Sequence, residues 1–195
     1  MRSALAKKQQ WTAEDYLTWE RKQPDKHEYF QGEVFAMTGA SREHNLLHTN
    51  VIRLLGNALL DQPCELYPSE MRVHVPATGL YTYPDVTVVC EEPRFQDTTF
   101  DTLLNPTVMF EILSDSTEAY DRGEKFENYR SLDSLRDYVL ISQDRALVEH
   151  YARQTSGTWL LSTLRAGGVL RLASIDCVLA VDEIYRKVPL ARLSS

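Results

Sequence analysis

Asp85, Glu111 and Lys125 are the residues of this chain whose types and order suggest chemistry. Asp85 opens the run Tyr83-Pro84-Asp85-Val86-Thr87-Val88-Val89, and Glu111 interrupts the apolar run Val108-Met109-Phe110-Glu111-Ile112-Leu113. Both read as carboxylates in strands that otherwise want burial. A buried carboxylate without a partner is strongly disfavoured, and two on neighbouring strands repel each other. A divalent cation held between Asp85 and Glu111 would relieve both problems. Hard oxygen ligands with open positions suit Mg²⁺ or Mn²⁺. Such an ion would polarise a phosphoryl oxygen and neutralise developing charge. Lys125 lies on the helix that leaves the Glu111 strand, where it would orient an attacking water or stabilise a pentavalent phosphorus. Close carboxylates oppose the pKa fall that a lysine general base needs, so an orienting, electrostatic role is expected.

Each residue also has a plainer explanation. Pro-Asp at a strand start is common because Asp favours turns. A helical lysine is most often solvated, and Asp121 and Lys125, four apart, allow an ordinary surface pair. Glu111 is the hardest to explain away, because it sits inside a strongly apolar run. Glu28 and Glu33 flank a hairpin turn and read equally well as a solvated edge or as approaching a metal. His44, near a helix N-terminus, reads first as a cap or packing residue, with a phosphate or metal-bound water as the other option. Tyr129, one turn beyond Lys125, reads as core. His27, His48, His74 and His150 show no ligand spacing, and the three tryptophans read as core or interface.

Elements able to place these residues are legible along the chain. Thr12 and Asp15 resemble a capping box before a short helix. Gln31-Gly32 joins two apolar-rich runs, His27 to Phe30 and Glu33 to Met37, as a two-residue hairpin. Ser41 caps a helix whose Leu47, Val51, Leu54, Leu55, Ala58 and Leu59 recur at helical spacing. Cys64 to Tyr67 and Met71 to Val75 follow as strands, the second with Arg72 and His74 on a polar face. Residues 91–105 read as a loop or insertion. A helix from about Thr117 to Ser131 links the Glu111 strand to the apolar run Tyr138 to Ser142, so these two strands should pair in parallel. Leu147 to Ala152, Trp159 to Leu164 and Val169 to Leu172 read as an antiparallel meander with an exposed edge that offers a homodimer surface. Asp182 to Arg186 reads as a last short helix. The expected class is α/β (α+β): a mixed central sheet flanked by helices, with an N-terminal hairpin and a C-terminal antiparallel meander.

The bulk properties bound the function. The length of 195 residues suits a single domain over 1–195 that needs no disulfide to fold. Cys64, Cys90 and Cys177 make no zinc spacing and read as small buried side chains in a reducing cytoplasm. No stretch is long and apolar enough for a membrane span. Met1 to Gln10 lacks an apolar leader core, so a cytoplasmic protein is expected. The net charge of −7 argues against tight, metal-free DNA binding, though not against a local basic groove beside a cation.

The chain resembles the Uma2-type endonucleases, a branch of the PD-(D/E)xK nuclease superfamily. The matching segments are His27-Glu28-Tyr29-Phe30-Gln31-Gly32-Glu33-Val34, His44-Asn45-Leu46-Leu47, Tyr83-Pro84-Asp85-Val86, Glu111-Ile112-Leu113-Ser114 and Thr117 to Tyr129. Each is short, but their joint order is fairly specific and spans nearly the whole chain. The resemblance implies a restriction-endonuclease-like fold and metal-dependent cleavage of nucleic acid, with DNA the expected substrate. By position, Asp85 and Glu111 would bind the metal. The superfamily's usual lysine stands two residues after the glutamate, where this chain has Leu113. The resemblance suggests that its role has moved to Lys125. A non-catalytic nucleic-acid or protein binding module on the same fold is the alternative, favoured by the acidic charge and by Leu113.

Overall fold

The computed structural model describes residues 10–37 and 39–190. The stretch on which the reading of a leader rests lies almost wholly outside them. The first helix, α1 (Ala13–Glu20), is capped by the Thr12 side chain, which accepts from the Asp15 backbone N–H. Strands β1 (His27–Phe30) and β2 (Glu33–Ala36) form the expected hairpin. Gln31 and Gly32 both take positive φ, 49° and 88°, the geometry that matches the twist of paired strands. Ser41 caps α2 (Arg42–Ala58) through the His44 N–H. Leu47, Val51 and Leu55 form the buried stripe of α2.

Among the described residues the longest sheet has six strands, in the order β11-β10-β9-β8-β6-β3. These are β3 (Glu65–Pro68), β6 (Val86–Val89), β8 (Val108–Leu113), β9 (Asp137–Ser142), β10 (Leu147–Arg153) and β11 (Trp159–Arg165). The β8–β9 pair is parallel, as a strand-helix-strand crossover requires, and the other pairs are antiparallel. The sheet is therefore mixed, as expected. A second sheet of five strands has the order β2-β1-β5-β4-β7, adding β4 (Arg72–Val75), β5 (Leu80–Thr82) and β7 (Thr102–Leu103).

Two core layers hold these elements. Val86, Val88, Val108, Phe110, Val139 and Ile141 point from the six-stranded sheet toward Leu47, Val51 and Leu55 of α2. The opposite side chains, Val89, Met109, Leu113, Tyr138 and Leu140, meet Val73, Val75 and Leu80 of the second sheet. Both faces of β6, β8 and β9 are thus buried, which explains their nearly unbroken apolar runs.

Several expectations change. β5 falls in a stretch with no strand signal of its own and pairs with both β1 and β4. Arg72 is not on a polar face: it is buried, donating to the Tyr83 hydroxyl at 2.8 Å and to Thr102 Oγ1 at 3.0 Å, and pairing with Asp101 at 2.9 Å. Residues 91–105 include the short β7. The meander is β9-β10-β11. The strand expected third in it, β12 (Val169–Leu172), instead forms a separate two-stranded sheet with β13 (Cys177–Ala180). The last helix is α5 (Val181–Ile184). Cys64 and Cys90 are joined by a disulfide rather than being separate thiols, and Cys177 is free and buried. Among the described residues no helix is long and apolar enough to cross a membrane.

Candidate active site

The β6–β8 register sets Asp85 beside the Glu111 strand. Val86 faces Phe110 in this antiparallel ladder, so Asp85, one residue earlier, comes beside the Glu111–Ile112 stretch of β8. Asp85 lies just before β6 rather than in it. Its Oδ2 accepts from the Ile112 backbone N–H at 2.7 Å, tying the carboxylate to the Glu111 strand. Its Oδ1 lies 3.1 Å from His44 Nε2. One turn along α2, His48 Nε2 lies 3.0 Å from the Asp85 carbonyl oxygen, an acceptor, so His48 is the donor. Burial would raise the Asp85 carboxyl, but the hydrogen bond and charge of His44, the Ile112 N–H and Lys125 hold it below its usual value.

Glu111 stands mid-strand in β8, and the helical crossover that follows brings Lys125 back over it. That crossover comprises α3 (Glu118–Tyr120), a π-helical turn (Asp121–Lys125) and α4 (Phe126–Tyr129). Lys125 Nζ lies 2.9 Å from Glu111 Oε1, 3.3 Å from Glu28 Oε1 and 3.4 Å from Asp121 Oδ1. Tyr129 OH donates to Glu111 Oε1 at 2.9 Å, and Thr82 Oγ1 donates to Glu28. Glu28, Glu111, Asp121 and Lys125 are each only 3–6 % exposed, so the cluster is dry and its charges interact strongly.

One ammonium therefore faces three carboxyl groups. Burial pushes Glu111 well above its ordinary range, and Asp121 and Asp85 add to this while Lys125 opposes it. Burial also raises Asp121. Burial would lower Lys125, but the charge of Glu111 foremost, with Tyr129, Glu28 and Asp121, holds it well above its ordinary value. Lys125 is thus a permanent cation at neutral pH, and part of the acid cluster is driven to hold a proton.

Lys125 meets Glu111, Asp85 is held at the neighbouring Ile112, and more residues gather here than these three. Asp121 is a buried member, not half of a surface pair. Glu28 joins it because β1 lies inside its sheet between β2 and β5, whereas Glu33 on the edge strand is exposed. His44 both receives its helix cap and holds Asp85. Tyr129 is core, and it also holds Glu111. Among the described residues neither carboxylate of the leading pair is tied to a guanidinium. His27 pairs with Glu20 and His150 with Asp137, away from this cluster. Only the apolar-run rule could have signalled Glu28, which sits in His27-Glu28-Tyr29-Phe30 without alternation.

The donor set fits a hard cation: the groups that converge are carboxylates, and their negative charge exceeds that of the ammonium. Among the described residues no three His, Cys, Asp or Glu side chains are already gathered as a cage, since Lys125 stands where the acids meet.

The fold is of a recognisable class, similar to that of a solved protein described as a nuclease. A crystal structure from Anabaena variabilis ATCC 29413, described as a "putative nuclease belonging to DUF820", superposes with a TM-score of 0.69 at 15% identity, over 88% of this chain and 96% of that one. The Uma2 family model, described as "Putative restriction endonuclease", matches residues 13–181, and the chain belongs to that family. Two uncharacterized proteins of Synechocystis sp. (strain ATCC 27184 / PCC 6803 / Kazusa) are similar over most of their length. Protein slr1290 is 40% identical over 173 residues, 89% of this chain and 90% of its own. Protein sll1609 is 39% identical over 153 residues, 78% and 86% respectively.

Proposed function

We propose that this protein is a divalent-metal-dependent endonuclease that hydrolyses phosphodiester bonds, with DNA as substrate and Mg²⁺ or Mn²⁺ held by Asp85 and Glu111. The observation that carries this reading is the Asp85 carboxylate bound to the backbone N–H of Ile112, the residue after Glu111, with Lys125 Nζ 2.9 Å from the Glu111 carboxyl. When bound, the cation supplies Lewis acidity toward a phosphoryl oxygen and a counter-charge for the transition state. His44 keeps Asp85 ionised and, with the Ile112 N–H, fixes its orientation. Tyr129 holds Glu111 through a hydrogen bond, and its own hydroxyl stays protonated because burial and the Glu111 charge raise it. Lys125 cannot take a proton while it is held charged, so it acts by donating hydrogen bonds and stabilising negative charge on the phosphoryl group. Leu113, at the superfamily's lysine position, is buried in the layer between the sheets, which favours Lys125 for this role.

Nicking of supercoiled plasmid tests the reading. Wild-type protein should nick with Mg²⁺ or Mn²⁺, and Asp85→Ala should abolish the activity. If the wild type cuts neither DNA nor RNA with either ion, the enzyme reading fails; DNA binding that survives Glu111→Gln would then favour the non-catalytic module.

The open edge of β11, with Leu160 56% exposed, supports a homodimer in which two copies pair along that edge. Two copies would suit cleavage of both duplex strands. Light scattering should give twice the chain mass, and a monomer at all concentrations would remove the dimer.

A further inference from the structure

A groove of about 670 Å³ lies between α4 and the β10–β11 hairpin, walled by Phe126, Arg130, Tyr151, Arg153, Trp159 and Leu161. Its rings form a connected surface. The Phe126 centroid is 4.4 Å from that of Tyr151 and 5.4 Å, edge-on, from that of Trp159. The Arg153 guanidinium lies over the Trp159 ring at 5.7 Å, and that of Arg130 over Phe126 at 5.9 Å. Arg153 is anchored, donating to the Leu132 carbonyl at 2.8 Å with Asp133 at 3.9 Å, while Arg130 reaches Glu127 at 2.8 Å. The groove wall packs next to the acid cluster. Phe126 follows Lys125 and stacks on Tyr138, whose hydroxyl donates to the Asp121 carbonyl at 3.0 Å.

We infer that this groove binds unpaired bases of a single-stranded nucleic acid, with a base stacked on Trp159 and the phosphates facing Arg130 and Arg153. The inference takes its ligand class from the phosphodiesterase reading above. Base–aromatic stacking tolerates every sequence because each base has a π-face. Guanidinium planes over aromatic rings stack and bind phosphate together. Two guanidiniums against Glu127 within the groove stand out on a chain of net charge −7. The volume falls in the range of about 300–1,000 Å³ typical of small-ligand clefts. A base inside a duplex has no free face to offer Trp159, so the groove selects single-stranded, frayed or flapped substrates over continuous duplex.

The test is fluorescence anisotropy in EDTA, which prevents cleavage, using a labelled 12-nucleotide oligothymidylate and a blunt duplex of equal length. The full chain should bind the single strand more tightly than the duplex. Trp159→Ala should weaken single-strand binding about 5- to 100-fold, as loss of one stacked base implies, with most affinity regained in Trp159→Phe. Arg130→Gln, at an exposed guanidinium, should weaken binding and flatten its salt dependence; it keeps the test open should Trp159→Ala unfold. Equal single-strand affinity in wild type and a folded Trp159→Ala overturns the inference, even if plasmid nicking proceeds. Loss of affinity that tracks a change of oligomeric state also overturns it and makes the groove an interface between copies. Trp159-dependent single-strand binding by a protein that cuts nothing supports the inference and sinks only the phosphodiesterase reading.

Discussion

Replacing Lys125 with methionine should lower the free energy of unfolding by roughly 3–5 kcal/mol at pH 8, the usual consequence of leaving a buried charge uncompensated. Lys125 is the cation within 3.4 Å of Glu28, Glu111 and Asp121, and all four side chains are nearly dry. Its folded pKa is raised, so its stabilisation is complete below the ordinary lysine value and fades only as pH climbs beyond it. Glu111 and Asp121 are also raised, by burial first. Raised acids contribute stability below their ordinary values and lose it as pH rises through their folded values. Without the ammonium both would rise further, so the deficit of the variant should widen from pH 5 to pH 8. Urea unfolding at the two pH values measures this, and an equal deficit at both contradicts the charge argument. Turnover should fall by about 10²- to 10³-fold, the scale of losing one electrostatic donor. Mn²⁺ binding through Asp85 and Glu111 should persist, and its disappearance would count against a purely electrostatic Lys125.

Glu111→Gln should weaken Mn²⁺ binding by about 100-fold or more, since losing even an outer-shell partner costs about 10- to 100-fold. In the wild type, burial raises Glu111, so cation binding there should work against that shift and release protons. Affinity for Mn²⁺ should therefore increase with pH, by up to about tenfold per unit, until the raised Glu111 carboxyl is ionised in the metal-free protein. Calorimetry in two buffers of different ionisation enthalpy detects the released proton. Identical apparent enthalpies in both buffers would show that Glu111 is not the group displaced.

Local chemistry made much of this legible. Thr12 and Ser41 announce α1 and α2 because caps are satisfied within a few residues. The parallel β8–β9 pair follows from a helix placed between two apolar runs. Glu111 is visible because a carboxylate amid Met109, Phe110 and Ile112 conflicts with its surroundings. What stayed hidden depends on pairing between distant residues. Arg72 alternates with apolar neighbours and reads as solvated, yet Tyr83, Thr102 and Asp101 bring it indoors. Glu28 reads as an edge residue until β5 covers the far side of β1, and Leu80-Tyr81-Thr82 carries too short a pattern to announce β5. Asp121 is four residues from a lysine, and helical spacing alone does not tell a solvated pair from a dry one. Cys64 and Cys90, 26 residues apart, meet only because β3 and β6 are adjacent strands.

The single widened turn at Asp121–Lys125 has a geometric effect on the whole crossover. In an uninterrupted α-helix, side chains eight residues apart diverge by about 80° around the axis. A turn closed by i→i+5 bonds advances by less per residue and absorbs most of that drift. Asp121, Lys125 and Tyr129 therefore fall along one line parallel to the axis, and all three can reach inward at once. Deleting Gly123 would leave the three at i, i+3 and i+7, still one stripe of a regular helix, so the widened turn fits in one more residue without turning either end away. The extra residue thus works as a phase corrector for the helix.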